Sequence, residues 1–357
     1  MPAQNPTGTD GFAFLEFTTT DPQKLIQQFT SLGFVQIAKH KLHEVSIYKQ
    51  NDILFFINTT QNAMASQFAD LHGACVSAMG FKVKDAKLAH QHALTFGAIP
   101  YVAKNEIAIY SIPAIYGVGN SLIYFVDDKN HTPNYMQDFH FFNEAKQNHP
   151  GLGLTYIDHV THNLYRGNMI EWADFYQGIF NFREIRYFDI EGKLTGLKSK
   201  ALTSPCGKIR IPLNESSDDY SQIEEFLKEF HGEGIQHIAL GTNHIYDSVQ
   251  KLRQQGLEFL DTPDTYYDLI EKRLPKHGEP LAALKELRIL IDGNTQQQDK
   301  KLLLQIFTKN MLGPVFFEII QRKGDEGFGE GNFRALFESI ELDQIKRGVL
   351  NTEEEKL

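Results

Sequence analysis

The sequence of 357 residues is long enough for two domains or one large domain with a full hydrophobic core. Its composition, 41% hydrophobic and 22% charged residues, is that of an ordinary globular protein. A formal net charge of -10 argues against a nucleic-acid partner, because phosphate groups require a basic surface. No stretch approaches the roughly 18 consecutive apolar residues of a membrane helix, so we expect no membrane partner.

The N-terminal residues and the cysteines indicate a compartment. The opening MPAQNPTGTDG has no basic region followed by an apolar stretch, so no secretory signal is expected. Only two cysteines occur, Cys75 and Cys206, and no metal-type CxxC pair is present. One disulfide stays open at this point, but the pattern favours a reduced, cytoplasmic protein.

An internal repeat predicts the organisation of the chain. Residues 12–38 and 156–185 each show a strand, a turn, an amphipathic helix and a second strand. Residues 76–101 and 235–260 repeat a strand, a helix ended by glycine, and a strand. The chain therefore contains four βα-type modules, two in each half.

The seam between the halves is AKQNHPGLGLT (145–155), which is typical of a linker turn. We therefore predict an N-terminal domain at 1–148 and a C-terminal domain at 149–357. The second half has an insertion at 261–298, predicted to form loops and helix over the sheet. After it, residues 331–350 are predicted to form an amphipathic helix for which Asn332 is the expected N-cap.

Three ligand-capable side chains lie in apolar strands of the second half. GIQHIAL (234–240) contains His237, YIDHV contains His159, and PVFFEIIQR contains Glu318, at spacings of 78 and 81 residues. A carboxylate within VFFEII is costly to bury unpaired. Two histidines and one carboxylate are the facial triad of non-haem Fe(II) oxygenases. Zinc uses the same set, although the HExxH helix that usually supplies it is absent.

The first half serves as an internal comparison. Repeat alignment places Glu16, Ala78 and Tyr124 opposite His159, His237 and Glu318, so the first half has the scaffold without the ligand set. The alternative is structural: Glu318 pairs with an arginine and both histidines bond to backbone.

Strand alternation also predicts a pocket near the three ligands. Gln305 shares a strand face with Phe307, and Phe316 shares one with Glu318. In the same half, Ser199 precedes a strand that contains Ala201, and Asn214 ends the stretch IRIPLN. Amides, a hydroxyl and phenylalanines near a metal suit an aromatic substrate with a polar ring substituent.

The second half resembles the 4-hydroxyphenylpyruvate dioxygenases of the vicinal oxygen chelate superfamily over nearly all its length. The resemblance is carried by YIDHVTHNLYRGNM, GKIRIPLNES, GEGIQHIAL, LLQIFTKN and FFEIIQRKGDEGFGEGNF, in that order, and in the first half by GVGNSLIYFVD. It implies an α+β fold with two domains, each of paired βαβββ modules forming an open β-barrel of the glyoxalase/bleomycin-resistance/dihydroxybiphenyl-dioxygenase type. It also implies a homo-oligomer, a dimer or tetramer.

The same resemblance implies one Fe(II) per chain, held by His159, His237 and Glu318. The implied reaction is the oxidative decarboxylation and ring hydroxylation of 4-hydroxyphenylpyruvate by O2, giving homogentisate and CO2 in tyrosine and phenylalanine breakdown. No separate keto acid is needed, because the substrate carries its own.

Residue by residue, the resemblance assigns a polar network to Ser199, Asn214 and Gln305. It assigns aromatic walls to Phe307, Phe316 and Phe333, places Phe328 in a glycine-rich hinge, and implies a gating lid that begins at Asn332. Gln222 and Gln236 are less surely placed, because strict alternation turns Gln236 away from His237 unless the strand contains a bulge.

Three alternatives remain open from the sequence. Hydroxymandelate synthase shares the fold, the metal and the substrate but hydroxylates the benzylic carbon. An extradiol catechol dioxygenase would use the same ligands with an added acid or base. A metal-free protein of the same fold would bind an aromatic ligand without reaction.

Overall fold

The computed structural model describes residues 4–336 apart from 104–105, 130–131, 144–147, 192–195, 297–298 and 333–334. The strands of the first half are β1 (Phe12–Thr18), β2 (Val35–His40), β3 (Val45–Gln50), β4 (Ile53–Asn58), β5 (Cys75–Lys82), β6 (Ala114–Tyr116), β7 (Leu122–Val126), β8 (Asp128–Lys129), β9 (Thr132–Pro133) and β10 (Phe139–Phe141). Its helices are α1 (Pro22–Ser31), α2 (Met64–His72) and α3 (Ala86–Thr95).

The second half repeats this order with added helices. Its strands are β11 (Leu154–Leu164), β12 (Arg183–Glu191), β13 (Gly196–Thr203), β14 (Arg210–Ser216), β15 (Gly234–Thr242), β16 (Leu290–Asn294), β17 (Lys301–Phe307) and β18 (Phe316–Lys323). Its helices are α4 (Met169–Phe180), α5 (Gln222–Phe230), α6 (Ile245–Gln254), α7 (Asp264–Asp268), α8 (Ile270–Arg273) and α9 (Leu281–Leu287).

Each half forms one eight-stranded mixed sheet. The strand orders are β10-β2-β3-β4-β1-β5-β7-β6 and β12-β13-β14-β11-β15-β18-β17-β16. At the centre of each sheet, the first strands of the two modules pair antiparallel, β1 with β5 and β11 with β15. On either side of this pair lies a parallel partner, β4 and β7 in the first half and β14 and β18 in the second. The α+β repeat architecture predicted from the sequence is confirmed.

The helices follow from local sequence signals. Asp21 accepts a hydrogen bond from the Lys24 amide and so caps α1, and Pro22 occupies its first turn. Leu25 and Phe29, four residues apart on α1, are buried against the sheet. A similar cap, Ser221, begins α5 at Gln222, whose side chain is exposed. Gln222 therefore lies on a surface helix.

One hydrophobic core runs through both halves, and a second fills the first half alone. In the shared core, Phe317 on β18 lies 6.4 Å from Phe17 and 6.1 Å from Phe55, measured between ring centroids. The second core covers the opposite face of the first sheet with aromatic rings, among them Phe14 and Phe56 stacked at 4.2 Å. The corresponding face of the second sheet carries the predicted ligands.

The insertion at 261–298 contains the helices α7, α8 and α9, as expected, and also the whole of strand β16, which was not predicted. No helix in the described ranges is long and apolar enough to cross a membrane. Cys75 is buried and Cys206 partly exposed, and both thiols are free. The disulfide that the sequence left open is therefore not formed.

Candidate metal centre

Two β-bulges shape the strands that carry the histidines. Between β11 and β15 the pairing skips Asp158, just before His159, and skips Gln236, just before His237. A bulged residue leaves the alternation of the strand, so its side chain lies beside that of its neighbour. The Asp158 carboxylate accordingly accepts a hydrogen bond from His159 Nδ1 at 2.8 Å, and Gln236 Oε1 accepts one from His237 Nδ1 at 2.8 Å. The bulge that a role for Gln236 required is present.

The other ring nitrogens converge on Glu318. Nε2 of His159 lies 3.2 Å from Glu318 Oε2, and Nε2 of His237 lies 3.5 Å from the same oxygen. With both Nδ1 atoms donating, each Nε2 of a neutral imidazole presents a lone pair. The Thr161 hydroxyl, 3.0 Å from His237 Nε2, can donate to that nitrogen. His159 Nε2 and Glu318 Oε2 face each other as two acceptors, which is stable only around a proton or a cation.

The arrangement fits a metal ion. Ligand bonds of about 2.0–2.2 Å at ordinary coordination angles place the donor atoms roughly 3.0–3.5 Å apart, close to the distances from Glu318. The three ligand atoms lie within 4.8 Å of one another. Glu318 Oε1 is buried without a hydrogen-bond partner, which is costly for a carboxylate and is relieved by a cation.

Electrostatics support this arrangement. Burial opposes charge on His159, but the carboxylates of Glu318 and Asp158 outweigh it and raise the pKa of this imidazole. Burial, with the neighbouring His159 and His162, lowers the pKa of His237 well below its usual value. His237 is therefore neutral, the form that binds metal.

Arg322 holds Asp158 in place. Its Nε donates to Asp158 Oδ2 at 2.7 Å and its Nη2 to Oδ1 at 2.8 Å, a bidentate pair. Burial works against the charge of Asp158, but Arg322 and His159 more than offset it and lower the pKa of this carboxyl. The chain Arg322–Asp158–His159 has the carboxylate–histidine form that orients metal ligands.

A cavity of about 70 Å³ opens from the three ligands. Of the residues assigned to substrate, Ser199, Asn214, Phe307 and Phe328 line it, together with His159, His237 and Glu318. Its other lining residues are Thr161, Phe188, Leu197, Pro212 and Glu330. This volume is below the roughly 300 Å³ of common ligand pockets, so an aromatic ligand requires the walls to move.

Three further predicted residues do not line the cavity. Phe316 stacks on the His237 ring at 4.9 Å and so supports a ligand. Gln305 is buried on β17, with its Oε1 unpartnered and its amide against Gly329. Asn332 Oδ1 accepts hydrogen bonds from the Tyr266 hydroxyl at 2.6 Å and from Arg273 at 3.3 Å.

The prediction that Asn332 caps the last helix is wrong. Helical backbone begins at residue 330, and the Asn332 amide donates to the Gly329 carbonyl inside the first turn. Phe333 and the predicted lid beyond residue 336 lie outside the described residues.

The hinge residue Phe328 is tied to the metal ligands. Its ring lies 5.2 Å from that of His159 in an edge-on arrangement, and the Arg322 guanidinium lies 5.5 Å from its centroid. Arg322 Nη1 also donates to the carbonyls of Asp325 and Gly327, at 3.0 and 2.7 Å. One guanidinium therefore joins the support of His159 to the hinge that forms a cavity wall.

The sequence reasoning did not identify Asp158, Arg322 or Glu330. The Asp-His dipeptide at 158–159 was an available signal, since metal-bound histidines commonly donate to a carboxylate. Arg322 was not identifiable, because its partner is 164 residues away. His162, on the same strand as His159, lies outside the site, because its two nitrogens contact the Val160 carbonyl and the Tyr176 hydroxyl within the core.

One repeat assignment is wrong. In the strand register, Ala78 is opposite Leu122 and His237 is opposite Phe316. Tyr124 and Glu318 each lie two residues after these partners, so the two are equivalent, as predicted. Glu16, however, is opposite Ala78, and Thr161 is opposite His237. Glu16 is therefore equivalent to Thr161 and not to His159. The residue equivalent to His159 is therefore Phe14, two positions before Glu16, because the repeat alignment was two residues out of register.

Comparison with known proteins identifies first a superfamily. Residues 156–269 match the Glyoxalase/Bleomycin resistance protein/Dioxygenase superfamily, and residues 3–141 match the family described as Hydroxyphenylpyruvate dioxygenase, HPPD, N-terminal. A solved variant of 4-hydroxymandelate synthase from Streptomyces coelicolor has the same fold, with a TM-score of 0.79 over 94% of this chain and 99% of that chain, at 24% identity.

The relatives then identify the family. A 4-hydroxyphenylpyruvate dioxygenase of Legionella pneumophila is 57% identical over 98% of this chain and 99% of its own length. A Vibrio vulnificus protein named Hemolysin VllY is 57% identical with the same coverage. The chain belongs to the 4-hydroxyphenylpyruvate dioxygenase family and is an enzyme of the dioxygenase class.

Proposed function

We propose that the chain is an Fe(II)-dependent 4-hydroxyphenylpyruvate dioxygenase that converts its substrate and O2 to homogentisate and CO2. The observation that carries the proposal is the convergence of His159, His237 and Glu318 on one point beside a largely aromatic cavity. Family membership supports the substrate. Bound iron would supply redox chemistry toward O2, which zinc cannot provide.

The chain's own residues would bind the metal and orient the substrate. Asp158 and Gln236 fix the tautomers of the two histidines, so that each Nε2 presents the lone pair that would bind metal. Ser199 and Asn214, paired across β13 and β14, offer a hydroxyl and an amide to the ring hydroxyl of the substrate. Phe307 and Phe328 exclude water from the reacting centre.

Because the described cavity is smaller than an aromatic keto acid, we propose that the hinge at 327–329 opens to admit it. Gly329 has a φ of 77° and packs against the Gln305 amide, where a Cβ would lie 2.3 Å from its oxygen. Only glycine fits this position in the closed arrangement. Closing the hinge returns Phe328 to its place beside His159.

The test is product identification. Purified full-length chain, loaded anaerobically with ferrous iron, is given 4-hydroxyphenylpyruvate and air, and the product is identified by mass and retention time. We expect homogentisate with one CO2 per turnover. Formation of 4-hydroxymandelate would instead assign the benzylic reaction, and the absence of turnover with one bound iron per chain would overturn the proposal.

The proposed role in tyrosine and phenylalanine breakdown places the enzyme in the cytoplasm. The free thiols of Cys75 and Cys206 support a reducing compartment. Dimer or tetramer formation remains a prediction.

A further inference from the structure

A second cavity, of about 250 Å³, is lined by residues of β12, β13 and β14 and by Glu326, which precedes the hinge. Its lining contains three arginines and one carboxylate, together with Ile185, Thr203 and Gly207. The charged residues are Arg183, Arg186, Arg210 and Glu326. We call this cavity, with its three arginines, the arginine pocket. The lining residues themselves carry two more positive than negative charges, in contrast to the chain's net charge of -10. Two carboxylates outside the lining also contact these arginines: Glu330 lies 3.5 Å from Arg186, and Asp158 lies 3.8 Å from Arg210.

A bulge brings two of these arginines to one face. In the pairing of β12 with β13, Glu184 is opposite Leu202 and Arg186 is opposite Ala201, so Ile185 is skipped. Without the bulge, Arg183 and Arg186 would point to opposite faces of the strand; with it they share one.

The arginine pocket and the catalytic cavity lie on the same sheet face. Phe188, Ser199 and Asn214 are directly opposite one another across β12, β13 and β14, and all three line the catalytic cavity. Further along the same strands, Arg183 pairs with Thr203, which pairs with Arg210. At about 3.3 Å per residue, the four residues from Ser199 to Thr203 span roughly 13 Å.

The hinge bridges the two cavities through ion pairs. Arg210 Nη2 lies 2.5 Å from Glu326 Oε2, and Arg186 Nε lies 3.5 Å from Glu330 Oε1. Glu326 lines the arginine pocket, and Glu330 lines the catalytic cavity. Among the contacts of the described residues, Arg183 has no carboxylate partner and is exposed.

We propose that the arginine pocket is a docking subsite for the carboxylate of an aromatic α-keto acid on its way to the metal centre, an inference that rests on the proposed function. Arg183 provides the open positive charge for first contact. The docked carboxylate then competes with Glu326 and Glu330 for Arg210 and Arg186, which loosens the two ion pairs that hold the hinge. Attraction of this kind raises the association rate and weakens with salt.

The test compares Arg183→Gln with Lys87→Gln, which removes the same charge from an exposed position on α3. In iron-loaded enzyme at low salt, we expect Arg183→Gln to lower kcat/KM for 4-hydroxyphenylpyruvate by about three- to tenfold with kcat unchanged, since focused charge in a cleft changes association rates by 10-fold or more. The difference should vanish near 1 M salt, where the Debye length is about 3 Å. Equal behaviour of the two variants would overturn the subsite.

A second readout does not depend on turnover. Line broadening of the ring protons of 4-hydroxyphenylpyruvate by the metal-free full chain should be reduced in Arg183→Gln and retained in Lys87→Gln. The uncharged analogue 4-hydroxyphenylacetone should not distinguish wild type from either variant. Arg183-dependent broadening without any turnover by wild type would support the subsite and overturn the proposed function. Turnover with broadening indifferent to Arg183 would do the reverse.

Discussion

The two halves of the chain share one backbone scaffold but carry different side chains at equivalent positions. Equivalent register positions hold Phe14, Ala78 and Tyr124 in the first half, and His159, His237 and Glu318 in the second. Even a bulge is shared, because the first half skips Ser77 where the second skips Gln236. The backbone that presents a metal site is therefore present in both halves.

The difference lies in what fills the concave face. In the first half, Phe14 stacks on Phe56, and other rings including Tyr110 and Tyr135 occupy the remaining space. The buried carboxyl of Glu16 accepts hydrogen bonds from Tyr110, Ser77 and Asn58 and so has its partners within the protein. In the second half, Glu318 keeps an oxygen without a partner. A buried carboxylate oxygen without a partner, next to a cavity, therefore distinguishes the candidate metal centre from the packed face of the first half.

The largest effect should come from removing that carboxylate. In Glu318→Ala we expect bound iron to fall from near one per chain to near zero and oxygen uptake on 4-hydroxyphenylpyruvate to fall to background, because two histidines alone hold the metal weakly. Circular dichroism should remain that of the wild type, since a buried, incompletely paired carboxylate contributes little to folding.

The matched control is Tyr124→Phe at the equivalent position of the first half. It should retain iron and turnover, because no metal contact is removed. Stoichiometric iron in Glu318→Ala, or loss of iron in Tyr124→Phe, would contradict the division between the halves.

A smaller effect should follow from the bulged residues. Gln236→Ala removes the acceptor that fixes the tautomer and orientation of His237. We expect iron affinity to fall by about 10- to 100-fold, the usual cost of losing a group that orients a metal ligand. Ser77→Ala, at the equivalent bulge, should leave iron affinity unchanged. Anaerobic titration with ferrous iron measures both, and equal affinities of Gln236→Ala and wild type would show that the bulge has no role in binding.

The sequence was sufficient for the repeat and the ligands because those signals are local. Helix periodicity, glycine stops and a charged residue inside VFFEII are visible without tertiary structure. Ile157 and Thr161 flank His159 in the same strand, so the ligand could be assigned to that strand from sequence alone.

The bulges were not predictable, because nothing in YIDHV or GIQHIAL marks where the alternation breaks. This uncertainty accounts for the doubt about Gln236. The Arg322–Asp158 pair and the tie between Asn332 and Tyr266 join distant segments, and only the folded chain places them together.

The smallest predicted effect concerns the carboxyl of the first half. Burial raises the pKa of Glu16, and hydrogen bonds from Tyr110, Ser77 and Asn58 offset this only in part. A carboxyl whose pKa is higher in the folded state costs stability as pH rises from its unfolded value of about 4.3 through its folded value. Glu16→Gln does not titrate, and its amide can accept from Tyr110 and donate to the Ser77 hydroxyl. The melting temperature of Glu16→Gln should therefore rise relative to that of the wild type as pH increases above about 4.3. Iron affinity should be the same in the two proteins. Parallel melting curves for the two proteins across pH 4.5–8, measured by calorimetry, would show that Glu16 is ionised in the folded chain and that the first half, like the second, buries a charge.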